Sequence, residues 1–468
     1  MPSDQKHHST GVHTVPDHLI GKVLTACGSC EDCRSFMEES CLFFAELFRL
    51  QDRRRETGVE PGNEELHRLT TLCTMCGLCP CADIRNDILA AKHAYARRDG
   101  LALSVRVLQD VDRFGTLCSR FPRASRLMTC GASAALIKRG LGIHPDRTLP
   151  AVPAASFDRW VRHRDGVPRQ TEEPSRTVAY FPGCTARFFF PEVARAAVEV
   201  LEAFGARVIV LQGTCCGMPP LLEGDQDLAL KRTAQNLKWM AEQTARGINV
   251  VCSCPTCGYL FKRLVSETAY FSEAYQHLAG GDENQLRIPA NTSITGPREG
   301  DMVVLSRAIY GRILKDSGVF SELDPLERIA VSEGTFDLGE YLAKLAGEGS
   351  FLETANPMDK RVVYYPPCHL REQKIGSPFV DLLRRIPRLE VTPLTGSLDC
   401  CGMAGIMGYK KEFHQESLRL GTPLMDTIRS HHPEMIVTDC LSCRLQFEHL
   451  DTILVRHPVE LLREAIVG

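Results

Sequence analysis

From about residue 175 onward, short apolar runs alternate with longer segments whose apolar residues recur every three or four positions. Val178–Phe181, Val208–Leu211 and Val250–Val251 read as strands, and Glu192–Phe204 and Leu228–Ala245 between them carry helical periodicity. The order then returns, with strands at Val362–Tyr365, Leu389–Val391 and Met435–Val437 and helical segments at Phe379–Ile386 and Lys411–Arg429. Strand alternating with helix predicts α/β units with parallel sheets, because joining parallel strands needs a crossover long enough to be a helix. Ahead of this lie helical segments and loops, broken by a polar, turn-rich stretch from Gln51 to Asn63 with Arg53, Arg54, Arg55 and Pro61-Gly62. The expected layout is a small helical domain at 18–100, a basic helical connector and linker at 101–174, and two α/β domains at 175–355 and 356–468. The Pro- and charge-rich stretch Pro145–Pro174 reads as the linker.

Repetition extends to individual residues. Val178-Ala-Tyr-Phe-Pro-Gly-Cys184 corresponds to Val362-Val-Tyr-Tyr-Pro-Pro-Cys368, Cys215-Cys216-Gly217-Met218 to Cys400-Cys401-Gly402-Met403, and Cys254-Pro-Thr-Cys257 to Cys440-Leu-Ser-Cys443. The offsets are 184, 185 and 186 residues, so the halves match almost without insertion. In each half the cysteines follow the predicted strands, which gathers them at the carboxyl ends of a parallel sheet.

Composition is otherwise ordinary: 468 residues, 44% hydrophobic, 24% charged, net charge −3. That disfavours a disordered chain and a histone-like nucleic-acid binder, and no nucleic-acid partner is expected. The count of 21 cysteines is the exception. Met1–Asp17, with His7, His8 and His13, has no apolar run of signal-peptide length, and no stretch approaches a membrane span. An odd number of closely spaced cysteines fits a reducing compartment with metal chemistry better than a disulfide framework, so a cytoplasmic protein is expected.

Two cysteine groups open the chain: Cys27, Cys30 and Cys33 followed by Cys41, and Cys73, Cys76 and Cys79 followed by Cys81. Three thiolates two residues apart wrap an iron–sulfur cluster, and in two-cluster ferredoxins the fourth ligand comes from the other group. That rule gives Cys27, Cys30, Cys33 and Cys81 to one 4Fe-4S cluster and Cys73, Cys76, Cys79 and Cys41 to another. Seven residues precede Cys41 and only Pro80 precedes Cys81, a departure from the ferredoxin spacing, so the fourth ligands rest on the crossing rule alone. Zinc needs only two Cys-x2-Cys pairs and leaves the third cysteine of each triplet superfluous.

Each later half offers five cysteines: Cys184, Cys215, Cys216, Cys254 and Cys257, then Cys368, Cys400, Cys401, Cys440 and Cys443. Adjacent cysteines on an extended chain point apart and serve two metal atoms of one cluster more naturally than a single ion. Five thiolates exceed the four of structural zinc and favour iron–sulfur chemistry. Cys118, Cys130 and Cys252 are left over; a free cysteine is commonly a small buried hydrophobe, and Cys252 is also a substitute ligand by its nearness to Cys254.

These motifs resemble the cysteine-rich CCG domains of the family that includes the B-type polypeptide of heterodisulfide reductase. The order of a two-cluster ferredoxin-like domain and two CCG domains resembles the family of iron–sulfur subunits of anaerobic glycerol-3-phosphate dehydrogenases. Cys368-His-Leu, Cys400-Cys-Gly-Met-Ala-Gly, Thr438-Asp-Cys-Leu-Ser-Cys-Arg and His457-Pro-Val-Glu-Leu-Leu carry the second resemblance. It implies a noncubane 4Fe-4S cluster on the five cysteines of each CCG motif. It also implies an electron-transfer subunit that serves a flavoprotein dehydrogenase, with a hydroxy-acid or glycerol-3-phosphate type substrate, and passes electrons to a quinone. Two alternatives stand beside it: a heterodisulfide-reductase-like catalytic subunit that reduces a disulfide, and a zinc-bound interaction scaffold.

Between Arg113 and His144 six basic residues (Arg113, Arg120, Arg123, Arg126, Lys138, Arg139) and no acidic one are interleaved with Leu127, Met128, Leu136, Ile137 and Leu141. Such a segment suits peripheral contact with an anionic membrane surface, and equally a solvated face or a docking surface for a partner subunit. His369 beside Cys368 is a candidate for tuning a cluster, whereas His457 ahead of Pro458 and Glu460 reads as a helix start. No dinucleotide or phosphate-loop glycine motif is present, so no flavin, nicotinamide or nucleotide site is indicated.

Overall fold

The computed structural model describes residues 15–79, 81–121, 125, 131–151, 153, 155–165, 176–211, 213–292, 294, 296–347, 355–394 and 399–468. Two compact units are formed: one by residues up to Ala102 with Leu221–Asp225, the other by Leu103–Pro220 with Gln226–Gly468.

The first unit is built of helices and loops among its described residues, with helices Val15–Cys27, Glu31–Met37, Leu42–Thr57, Asn63–Thr71 and Ala82–Asp99, and Cys73, Cys76 and Cys79 in a loop. Its likeness to a ferredoxin therefore lies in cysteine order, and no strand accompanies it among the described residues. Ile20, Val23, Phe43, Phe44, Leu47, Phe48 and Leu69 are buried and fill its core. Arg53, from the stretch predicted as a turn, lies in the third helix and grips Glu65 through Nη2–Oε2 at 2.7 Å.

The second unit carries two parallel sheets of one topology. In the first, β1 (Arg176–Phe181) is flanked by β2 (Ala206–Val210) and β3 (Asn249–Cys252). After β3 the chain makes an antiparallel excursion of β4 (Gln285–Pro289), β5 (Arg298–Glu299) and β6 (Met302–Ser306), around its own cluster of Leu286, Ile288, Val303 and Leu305. It returns as β7 (Thr335–Asp337), which pairs with β3 and completes the order β2-β1-β3-β7. The second sheet is built from β8 (Lys360–Tyr364), β9 (Leu389–Pro393), β10 (Met435–Val437) and β11 (Leu454–Arg456), in the order β9-β8-β10-β11. Both orders place the first strand between the second and third, so the connections leave it in opposite directions. A crevice opens there at the carboxyl ends of the strands.

Predicted strands fall within a few residues of those observed. Three elements escaped the pattern: β7, β11 and the excursion β4–β6. The stretch predicted as a linker contains a helix, Phe157–Asp165, because Phe157 and Val161 are buried against the first sheet and Arg164 pairs with Glu202. Helix Lys411–Arg429 starts later than predicted, at His414. Buried residues of both sheets form one continuous core.

Asp324 caps helix Pro325–Gly334 by accepting from Leu326 N and Glu327 N, both at 2.9 Å. Asp324→Ala is expected to cost about 1 kcal/mol, read from a chemical denaturation midpoint.

Candidate functional site

In the first unit, Cys30, Cys41 and Cys81 each occupy the position just before a helix, Glu31–Met37, Leu42–Thr57 and Ala82–Asp99 respectively. The cysteines sort into two neighbourhoods. Cys27 has Cys33, Cys81 and Cys30 as its electrostatic neighbours, while Cys79 has Cys73, Cys76 and Cys41. Cys81 thus neighbours the first triplet and Cys41 the second. Burial, reinforced by these neighbours, pushes the Cys27 and Cys41 thiols up to about 12 and Cys33 to about 11. Lys92, absent from the sequence-based candidates, is buried and donates at 2.7 Å to the carbonyls of both Cys73 and Leu222.

In the second unit each five-cysteine set converges at the carboxyl end of its sheet. Cys184 follows β1 in the short helix Gly183–Phe188, and Cys254 precedes the helix Pro255–Tyr259. Gly183 sits at φ +71°, and a Cβ there would lie 3.2 Å from Cys257 Sγ, so glycine keeps this space for the thiols. Thiol contacts run from Cys184 to Cys215, Cys215 to Cys216, Cys216 to Cys257 and Cys257 to Cys254. Side chains of the following helix pin the loop: Thr233 donates to Cys216 O at 2.9 Å and Asn236 to Cys215 O at 2.9 Å.

The second set repeats this plan. Cys400 contacts Cys401, Cys401 contacts Cys443, Cys443 contacts Cys440, and Cys368 is an electrostatic neighbour of Cys400. Ser417 donates to Gly402 O at 2.8 Å, the counterpart of the Thr233 bond. Cys440 immediately precedes helix Leu441–Leu450.

Contact with neighbouring thiols and burial drive Cys184 and Cys257 well above the ordinary thiol range, while hydrogen bonds from Cys215 and Cys257 hold Cys216 down to about 6. Five sulfurs packed this closely cannot all ionise together without a cationic partner. Among the described residues no three His, Cys, Asp or Glu side chains are disposed to hold a single metal ion. A donor set of five soft sulfurs, with glycine at the point of closest approach, fits a polynuclear iron–sulfur cluster, whose binding releases the thiol protons.

The leftover cysteines sit apart from these chains of contact. Cys118 is buried beside Ser125, and Cys252, fully buried at the end of β3, has Asp337, Cys254 and Lys262 as neighbours. Cys130 lies outside the described residues, as do Arg123, Arg126, Leu127 and Met128. His457 caps its helix: Nδ1 accepts from Val459 N at 3.1 Å, which leaves Nε2–H to donate to Ser253 O at 3.3 Å. Burial lowers this imidazole to about 3 and keeps it neutral. His369 stacks on Tyr259 with ring centroids 5.0 Å apart, and its Nδ1 lies 2.9 Å from the Thr256 hydroxyl. It thus joins the Cys254–Cys257 loop to the Cys368 segment of the other half.

Behind that joint, Asp337 and Asp439 are buried electrostatic neighbours, and Tyr364 donates to Asp439 at 2.5 Å. Burial pushes the Asp337 carboxyl up to about 7. Folding thus favours its protonated form, a contribution complete below about pH 4 that is lost as pH rises through about 7. Asp337→Asn, which keeps an acceptor for Gly339 N–H, is expected to melt with a smaller drop between pH 5 and pH 8 than the parent. An equal drop in thermal melts would show that Asp337 does not titrate with folding.

A model of the CCG cysteine-rich domain family matches residues 178–262 and 362–448. The chain therefore contains two CCG domains, which coincide with the two five-thiol sites. It is 27% identical over 380 residues to the C subunit of the anaerobic glycerol-3-phosphate dehydrogenase of Escherichia coli, covering 80% of this chain and 81% of that one. It is 23% identical over 302 residues to the glycolate oxidase iron-sulfur subunit of Escherichia coli, covering 64% of this chain and 60% of the relative. The B subunit of the fumarate reductase (CoM/CoB) of Methanothermobacter marburgensis is 22% identical over 299 residues, 62% of this chain and 47% of the relative.

Proposed function

We propose that this chain is an iron–sulfur electron-transfer subunit of a flavin-dependent dehydrogenase complex. It takes electrons from a partner flavoprotein that oxidises a hydroxy acid or a glycerol-3-phosphate type substrate, and it delivers them to a quinone. The observation that carries this reading is the duplicated gathering of five thiols at the strand ends, beside two groups of four in the helical unit. In the helical unit the ligands would be Cys27, Cys30, Cys33 and Cys81 for one 4Fe-4S cluster and Cys73, Cys76, Cys79 and Cys41 for the other. In the CCG domains Cys184, Cys215, Cys216, Cys254 and Cys257, and Cys368, Cys400, Cys401, Cys440 and Cys443, would each hold a noncubane cluster. Bound clusters supply one-electron carriers, which a flavoprotein needs to hand on its electron pair singly. The chain's own residues bury Cys184, Cys215, Cys216, Cys257, Cys401, Cys440 and Cys443, place five of the eighteen assigned cysteines just ahead of helices, and fix both Cys-Cys-Gly loops by side-chain hydrogen bonds. The relatives' names support the dehydrogenase setting.

A second reading, disulfide reduction shared by the two CCG sites, draws on both sites having five thiols and on the His369 joint between them. Protein reduced with dithionite and mixed with a menaquinone analogue or with a heterodisulfide separates the two. The electron-transfer reading predicts fast oxidation by the quinone, and fast oxidation by the disulfide alone would overturn it.

For quinone access, the connector offers exposed Leu117, Phe121 and Leu136 near exposed Arg113, Arg120 and Arg139. No described helix is long and apolar enough to cross a membrane. Salt-sensitive binding to anionic liposomes is expected, and neutralising Arg120, Arg123 and Arg126 should abolish it in a flotation assay. Unchanged flotation would remove the membrane contact from the account.

A further inference from the structure

The two CCG sites are alike in sulfur and opposite in charge, and the difference comes from the connector ahead of them. At the first site Asp112 lies in the first turn of helix Val111–Arg120, and its Oδ2 accepts from Cys215 N at 2.7 Å. Its carboxylate is an electrostatic neighbour of both Cys184 and Cys215. The nearby guanidinium groups are already shared with acids: Arg232 contacts Asp110 at 2.9 Å and Asp112 at 3.4 Å, Arg187 holds Asp158 at 2.8 Å, and Arg113 reaches Asp110 at 3.2 Å but is 86% exposed and screened by water. With Arg113 screened by water, three carboxylates face two more deeply placed guanidinium groups, which leaves the surroundings of the first site negative.

At the second site the connector contributes Arg147, fully buried at 0% exposure. Backbone contacts dock it there: Ile143 bridges Lys410, and His144 N donates to Tyr409 O at 3.2 Å. Nη2 donates to Met403 Sδ at 2.8 Å and to Gln446 Oε1, residues two beyond Cys401 and three beyond Cys443. The guanidinium lies 5.6 Å from the Tyr409 ring centroid. Gly408 leaves room for it, since a Cβ there would sit 3.1 Å from Nη2. Nε and Nη1 are buried with no hydrogen-bond partner among the described residues. The groups that stabilise its charge are Tyr409 and Cys401, with no carboxylate among them. A buried cation without an acid is costly unless an anion lies beside it. A cluster ligated by five thiolates is such an anion. Asp399, next to Cys400, is the opposing charge, but it is partly exposed and screened by water, whereas Arg147 is not.

We propose that the connector sets the two CCG sites at different potentials, with Asp112 lowering the first and Arg147 raising the second. An electron shared between them then rests at the second site. Reduction adds one negative charge to a cluster and leaves its bonds to the chain in place, so a buried neighbouring cation favours it and a carboxylate opposes it. The inference rests on the reading that both five-thiol sets hold clusters.

The test is a redox titration, followed by electron paramagnetic resonance, of the full chain loaded anaerobically with iron and sulfide. Cys400→Ser identifies the signal of the second site by its loss. In the parent, the second site should show the higher midpoint. Arg147→Met should move that midpoint down, shifting the oxidised-to-reduced ratio at fixed potential at least tenfold, or about 59 mV for one electron. Arg147→Lys should keep it near the parent value, and Asp112→Asn should raise the midpoint of the first site. A parent protein with equal or reversed midpoints overturns the inference. So does Arg147→Met that retains its iron with an unmoved midpoint. Where Arg147→Met does not load, Asp112→Asn decides, and an unmoved first-site midpoint counts against the inference. A parent protein that binds no iron defeats the cluster reading itself, a result distinct from all of these.

Discussion

Cys400→Ser combined with Cys401→Ser is expected to remove about four irons per chain, about a quarter of a full complement. The two sulfurs are adjacent in sequence, and Cys401 bridges Cys400 to Cys443, so their loss breaks the chain of contacts that joins Cys368 to Cys440. Serine oxygen is a harder donor and replaces thiolate poorly at a soft-metal site. Iron analysis with visible spectroscopy checks it. The partition of ligands also predicts what does not happen. Cys252→Ser should keep its full iron, because Cys252, with Asp337, Cys254 and Lys262 as electrostatic neighbours, shares no thiol hydrogen bond with the chain of ligands. An equal loss from Cys252→Ser would move it into the ligand set and displace one of the five assigned.

Gly402→Ala is expected to destabilise the second unit by roughly 3 kcal/mol or more, from left-handed backbone strain plus overpacking. Gly402 sits at φ +84°, and a Cβ there would fall 2.2 Å from Ser417 O and 3.1 Å from Gly421 N, both backbone atoms of the facing helix. The helix returns the constraint, since a Cβ on Gly421 would meet Cys401 O at 2.5 Å. Neither side can yield by rotating a side chain, so the loop must move and carry Cys400 and Cys401 with it. The equivalent Gly217→Ala should cost less: its nearest atom is the Thr233 hydroxyl at 2.6 Å, which can turn away by giving up its bond to Cys216 O, although Ala229 O remains at 2.8 Å. Thermal melts of the unloaded proteins should rank Gly402→Ala below Gly217→Ala and both below the parent. The reverse order would mean that the facing helix gives way more readily than the hydroxyl.

Where local periodicity and local chemistry agreed, the sequence was readable. β1, β2, β3, β8, β9 and β10 are short apolar runs between helical segments, and the cysteines mark their carboxyl ends. β7 and β11 were missed because a charged residue, Asp337 or Arg456, ends each three-residue strand, whereas the equally short β10 is wholly apolar. The helix Phe157–Asp165 was hidden in a Pro- and charge-rich stretch because what holds it is tertiary: buried Phe157 and Val161, and the Arg164–Glu202 pair. Cys41 and Cys81 could be allotted only by the ferredoxin rule; the crossing depends on how helices return, which spacing does not encode. Asp112 and Arg147 carried no signal at all. An aspartate opening a helix and an arginine in a loop are commonplace, and only the fold sets one against Cys215 and the other against Met403 and Gln446.

The central claim is that the ordered cysteines hold four iron–sulfur clusters, and metal analysis of anaerobically purified protein tests it most directly. The account predicts about 16 irons and a matching amount of acid-labile sulfide per chain, with broad visible absorbance that bleaches on reduction. Stoichiometric zinc with a colourless protein would contradict it, and would leave the gathered thiols as the frame of an interaction scaffold.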